Sequence, residues 1–342
     1  MFRFGLIALL VLLVLSGCAA KTPLTDEVKN ALVWHDNNDQ PMIRWEGEIQ
    51  TPQDAGLKPR FWNRVGAFLF GDRRERILRP YGIHVDSAGR VFIADPGSTS
   101  LHLIDIDDRR YRVERGEGDA TLLSPVGVTS DGAGSIYLTD SVRGRIYRYR
   151  LSEGRLVRFN LDPLARPTGI AFHPENWQIY ITDTGAHQVA VFGLDGYERF
   201  RFSGRGAGEG ELNFPTDLWI DRLGRIFVTD AINARIQMFA ADGRYLTTFG
   251  ARGHASGYFD KPKGVATDSD GHIYVCDSLK DAVQVYDADG RYLFAFGEQG
   301  QGPAQFWMPA GLYIDNDDRI YVADAYNHRI QIFQYLKGEG RL

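Results

Sequence analysis

Six short β-like segments end in aspartate at nearly constant spacing: FIAD, YLTD, YITD, FVTD, YVCD and YVAD, closing on Asp95, Asp140, Asp183, Asp230, Asp277 and Asp324. Successive intervals are 45, 43, 47, 47 and 47 residues. A period of that length implies repeated supersecondary units, each unable to bury its own faces, that must stack on one another. Upstream of each aspartate stands Pro-x-Gly or a variant, at Pro80, Pro125, Pro167, Pro215, Pro262 and Pro309. Within one unit, GVATDSDGHIYVCD and AVQVYDADGRYLFAFG are two hairpin patterns turning at Asp-Ser-Asp-Gly and Asp-Ala-Asp-Gly. Four short antiparallel strands per repeat predict an all-β, six-bladed β-propeller.

The sixth repeat runs out after Tyr335, with room for only three strands. An unpaired outer strand would leave a long edge and an open ring. The β-like MIRWEGEI, Met42 to Ile49, precedes the first repeat and is the expected donor of the missing strand, closing the ring on the last blade. Between it and the first blade, Trp62, Val65, Phe68 and Leu69 are spaced to share one helical face after Pro59, which predicts a short capping helix.

The first residues carry Arg3, then an apolar run from Gly5 to Leu15, then Leu15-Ser16-Gly17-Cys18. This reads as an export signal too short to span a bilayer comfortably. Leu-Ser-Gly-Cys resembles the bacterial lipobox, which implies a diacylglyceryl and acyl lipid on Cys18; no other cofactor is expected. Membrane attachment through that lipid follows, in the cell envelope, with Ala19 favouring the outer membrane of a diderm cell. The expected organisation is a lipoprotein signal peptide over 1–17, a tether over 18–40 and the propeller over 41–337. Cys276, the second of two cysteines, is expected to be a small buried strand residue. A net charge of −5 without a Lys/Arg block gives no footprint for nucleic acid.

The consensus Pro-x-Gly-(Ile/Val)-x-x-Asp, Gly-x-(Ile/Val)-(Tyr/Phe)-(Val/Ile)-x-Asp and Asn-x-Arg-Ile-Gln-x-Phe resembles the NHL-repeat propellers over about Pro80 to Tyr335. Metal-dependent lyases of that family place zinc-binding histidines at the Pro-x-Gly position and an arginine after the strand-ending aspartate. Here the first position holds five glycines and Asp217, and no arginine follows any of the six aspartates. Both departures disfavour that mechanism, although Tyr326 matches a position where that class carries a tyrosine. The repeated aspartates are expected to accept backbone N–H bonds and to pair with Arg145, Arg235 and Arg329, holding loops in shape. Functional candidates are Asp217, which departs from the repeat, and the apolar Ile232, Leu279 and Tyr326 two residues past the aspartates, together with Lys263, Arg235 and Arg329. His173, where other blades carry Asp, predicts a locally different turn. Aromatic Trp219 and Tyr313, and His84, occupy an inner-strand position expected to be packing. The mouth so formed suits an envelope protein, a peptide or a partly apolar small ligand, as a non-catalytic platform. The alternative is an enzyme at the mouth, a metal-assisted lyase or lactone-type hydrolase.

Overall fold

A computed structural model describes residues 32–36, 39–51, 54, 76–105 and 107–337. Six antiparallel sheets stand around one axis, and every Pro-x-Gly opens an innermost strand. The fourth blade is typical: Pro215–Ile220, Ile226–Asp230, Arg235–Phe239 and Tyr245–Phe249 follow one another from axis to rim. Cys18 and the predicted helix lie outside the described residues.

The physical reason for a ring is visible in the second strands. Val91–Asp95, Ile226–Asp230 and Ile273–Asp277 are buried at every position, because both faces of each blade are covered. Alternate residues serve opposite neighbours. Val91 and Ile93 pack into the junction with the sixth blade, while Phe92 and Ala94 pack into the junction with the second. Six apolar clusters result, one at each junction, so the core is itself a closed ring.

Closure takes place as the truncated repeat requires. Strand β2, Pro41–Ile49, pairs antiparallel with Arg329–Tyr335, with Ile43 opposite Tyr335 and Ile49 opposite Ile330. Trp45 is buried in the junction between the fifth and sixth blades and donates its indole N–H to Gln331 Oε1 at 2.9 Å. Within the stretch read as tether, Val33–His35 is a strand, β1, pairing with β2 and making this blade five-stranded. Trp34 explains the difference: its ring lies 5.7 Å from that of Phe296 and 5.9 Å from that of Phe333, and this burial favours continuing the sheet outward.

Candidate functional site

Because each blade is an antiparallel meander, loops between second and third strands share one end of the ring with the connections between blades. The strand-ending aspartates lie at this end, and their work is local. Asp95 accepts from the backbone N–H groups of Leu78, Arg79, Gly97 and Ser98 at 2.7–3.1 Å. Asp277 likewise takes those of Asp260 and Lys261. Each carboxylate thus ties the start of the innermost strand to its own loop, closing the blade end.

Two of the three expected arginine partners behave as read. Arg235 Nε donates to Asp230 and Arg329 Nε to Asp324, both at 2.8 Å. Arg145 does not reach Asp140; it donates to the Leu161 carbonyl. Arg235 and Arg329 also spend further donors within the fold. Arg329 is buried and its remaining N–H groups go to Glu48 and the carbonyls of Gln301, Gly302 and Gln305, while Arg235 also holds Gly208 and Glu211. With Glu48 supplied by β2, Arg329 is part of the ring closure.

The Pro-x-Gly glycines have an equally structural cause. A methyl at Gly82 would meet the Val126 carbonyl at 2.4 Å, at Gly127 the Thr168 carbonyl at 2.3 Å, and at Gly311 the Tyr81 carbonyl at 1.8 Å. Only glycine lets one innermost strand approach the next so closely. The third-to-fourth junction differs. There the space against Gly169 is taken by Asp217, whose Cα and Oδ1 both lie 2.6 Å from where a Cβ would stand. Asp217 enters the ladder opposite Thr229 and faces the axis.

The axial cavity measures about 50 Å³, lined by Asp217, His84, Trp219, Tyr313 and the glycines. That is room for a few waters and too little for a drug-sized ligand. Trp219 and Tyr313 fill space as expected, edge to face at 5.6 Å, and His84 stands 4.9 Å from Tyr313. Desolvation pushes the Asp217 carboxyl up to about 7, with the N–H groups of Leu218 and Val265 and the charge of Lys263 pulling back. Lys263, at the mouth, is held below the usual lysine range by desolvation and by Arg166. Its Nζ lies 5.5 Å from the centroid of the Tyr81 ring, and burial raises the Tyr81 hydroxyl.

The Asp217 shift has a pH signature with a definite sign. A folded value near 7 against about 3.9 in the unfolded chain means that this group stabilises the fold at low pH, and that contribution is lost as pH rises through 7. His84 opposes it: burial holds it down to about 4, so its contribution is present above about 6.5 and lost as pH falls through 4. In Asp217→Asn, His84 acts without this counterweight. From pH 7.5 to 5 the melting temperature of the variant is expected to change about 5 °C more unfavourably than that of the wild type. Parallel Tm-against-pH curves for the two proteins would reject the assignment.

The end of the ring that bears the mouth also carries most of the exposed apolar side chains. Of the thirteen large hydrophobic residues exposed among the described residues, ten lie here: Leu78, Leu123, Leu161, Phe214, Tyr258 and Trp307 between blades, and Val142, Ile232, Leu279 and Tyr326 between second and third strands. The opposite end has Trp177, Tyr197 and Leu223. Ile232, Leu279 and Tyr326 do not fold onto their own blades but stay 52%, 53% and 43% exposed. Sequence reading missed Tyr81, Arg166 and Trp307. Tyr81 carried a usable signal: between Pro and Gly, only it and Lys263 are large, where the other blades have Val126, Thr168, Thr216 and Ala310. At the opposite end, His173 is buried with neither ring nitrogen hydrogen-bonded, beside a turn in which Trp177 takes a positive φ of 54°.

The profile of the SMP-30/Gluconolactonase/LRE-like region matches residues 20–250, and NHL repeats match 259–286 and 306–333. Among curated proteins no relative matches the chain. The fold is similar to that of virginiamycin B lyase from Staphylococcus aureus, at 18% identity, TM-score 0.58, covering 75% of this chain and 95% of that one. It is also similar to an auxiliary nutrient binding protein from Bacteroides thetaiotaomicron, at 15% identity, TM-score 0.58, covering 75% and 69%. A third similar structure is regucalcin, a calcium-binding protein from Agrobacterium tumefaciens, at 15% identity, TM-score 0.57, covering 77% and 92%. A divalent-cation site does not fit the axial residues here. Calcium takes six to eight oxygens, whereas the mouth offers one carboxylate, already accepting from two N–H groups beside a lysine. Among the described residues no three of His, Cys, Asp and Glu are grouped to hold a metal.

Proposed function

The chain belongs to the SMP-30/Gluconolactonase/LRE-like family and carries NHL repeats, and on that premise we propose that it is a lipid-anchored, non-catalytic binding platform of the cell envelope. The single observation that carries this reading is the asymmetry of the two ring ends. Exposed apolar side chains cost free energy in water at about 25 cal/mol per Å², and an aggregate of them on one face marks a surface that a partner covers. The loops bearing them are held by the aspartate and arginine bonds described above, so the surface is preorganised and little ordering entropy opposes docking.

The donor set at Asp217 supports binding over metal-assisted lyase or lactone-hydrolase chemistry, since it supplies neither a cation cage nor a second carboxylate to work with it. Anchoring rests on Leu15-Ser16-Gly17-Cys18: two or more acyl chains there, each contributing about 0.8 kcal/mol per buried methylene, give durable attachment. The propeller then faces away from the cytoplasm, its apolar end available to an envelope protein or peptide.

The test is capture from detergent-solubilised envelope with the tagged full chain. Serine at Ile232, Leu279 and Tyr326 together is expected to reduce recovery of the recurrent partner at least tenfold without shifting the melting temperature. Serine at Trp177 and Leu223, on the other end, should leave recovery unchanged. Equal capture by the first variant and the wild type defeats the reading.

A further inference from the structure

We infer that the axial mouth is a binding site for a small organic anion with an apolar body, its charged head seated between the Lys263 ammonium and the Arg166 guanidinium. The argument begins with unspent donors. Lys263 leaves the innermost strand of the fifth blade and crosses the mouth to lie over Tyr81 of the first, two blades away. Its three N–H donors meet no acceptor among the described residues, although the side chain is only partly exposed. Arg166, exposed before Pro167 in the third blade, likewise has no ion pair or side-chain hydrogen bond among them. A partly desolvated ammonium without an acceptor is costly, and a second cation within electrostatic reach adds to that cost.

Of the other cations of this end face, Arg79, Arg205 and Lys261 also lack a side-chain acceptor among the described residues, but like Arg166 they are open to water, so Lys263 is the one that is half-buried without an acceptor. Arg329 spends its donors within the fold, Arg235 holds Asp230 and the carbonyls of Gly208 and Glu211, Lys280 donates to three backbone carbonyls, and Arg143 and Arg252 each hold one. Asp217 acts on Lys263 only at a distance: among the described residues no salt bridge joins it to either cation, and it faces the cavity and takes the N–H groups of Leu218 and Val265. Lys263 over Tyr81 and Arg166 within its electrostatic reach, neither with a hydrogen-bonded acceptor among the described residues, stand at one end of the ring in a chain whose net charge is −5. An anion placed between them converts their repulsion into two charge-assisted interactions, with the guanidinium offering a planar fork.

The apolar body follows from the neighbours. The Tyr81 ring lies under Lys263, and at the same end of the ring Tyr326 stacks obliquely on Trp307 with centroids 5.8 Å apart. Tyr81 supplies an aromatic face directly against the ammonium, and the Trp307–Tyr326 pair adds apolar surface at the same end. The cavity below admits water only, so the ligand rests on the mouth and does not enter the axis. Carboxylate and phosphate heads share this chemistry.

Isothermal titration of the full chain distinguishes them, using benzoate and phenyl phosphate as probes, with inorganic phosphate and benzyl alcohol as controls. At least one aromatic anion is expected to saturate a single site, tenfold or more tighter than either control. Lys263→Gln and Arg166→Gln are each expected to weaken it at least tenfold, while Lys261→Gln, an exposed lysine two residues away, changes it less than twofold. Neither side chain makes a hydrogen bond among the described residues, so unchanged melting temperatures serve as the folding check. No saturable binding of either anion, benzyl alcohol binding as well as the anions, or wild-type affinity in both variants overturns the proposal. The site adds to the docking surface proposed above without resting on it: Ile232 and Leu279 stay in place, so failure of partner capture and failure of anion binding are separate readouts.

Discussion

Trp45→Ala is expected to lower the unfolding free energy by about 3–5 kcal/mol, the range for removing a large aromatic from a packed core. Trp45 is 3% exposed, in the cluster that joins the fifth blade to the sixth. Its loss also removes the N–H donor to Gln331 Oε1, whose remaining partner there is the Ala304 N–H. The position matters as much as the area. Strand β2 is the outer cover of Arg329–Tyr335, and a weakened β2 exposes that strand's edge. Chemical denaturation should therefore show a lower midpoint, and amide exchange should rise first in 329–335. Full retention of both the midpoint and the protection would mean that the ring does not depend on its N-terminal strand.

Gly311→Ala is expected to cost about 3 kcal/mol, the upper part of the usual range for overpacking. Its added methyl would sit 1.8 Å from the Tyr81 carbonyl oxygen, a backbone atom that no rotamer change can move aside. The sixth and first innermost strands would have to separate, disturbing the Lys263 seat on Tyr81. Gly47→Ala is the matched control, because a methyl there meets nothing within 4 Å. It should stay within about 0.5 kcal/mol of wild type. Thermal unfolding of the two variants side by side decides the matter: equal midpoints would show that close approach is not why Pro-x-Gly carries glycine.

Much of this architecture was legible because repetition converts local patterns into global ones. The six aspartates, the hairpin turns and the absent twelfth hairpin partner were enough to call for six blades and a closing N-terminal strand. β1 was not legible, since three residues in a polar stretch carry no periodicity and Trp34 finds Phe296 and Phe333 only in the closed ring. Arginines illustrate the same limit. Arg145, Arg235 and Arg329 occupy one repeat position, yet one donates to a carbonyl of the next connection and another is sealed by Glu48 from β2. Identical phase does not give identical partners when the neighbours differ.

What the sequence determined by itself was the blade: its period, its turns, its buried strands and the positions where copies disagree. Hydrophobic alternation and turn chemistry act over a few residues and survive in one dimension. Only the tertiary structure decided which disagreements meet. Tyr81, Arg166, Asp217 and Lys263 come from four different blades and up to 182 positions apart, and the ring alone brings them to one axial mouth. Whether a cation is spent or free depends on acceptors contributed from elsewhere in the chain, which is why Arg329 became architecture and Arg166 did not.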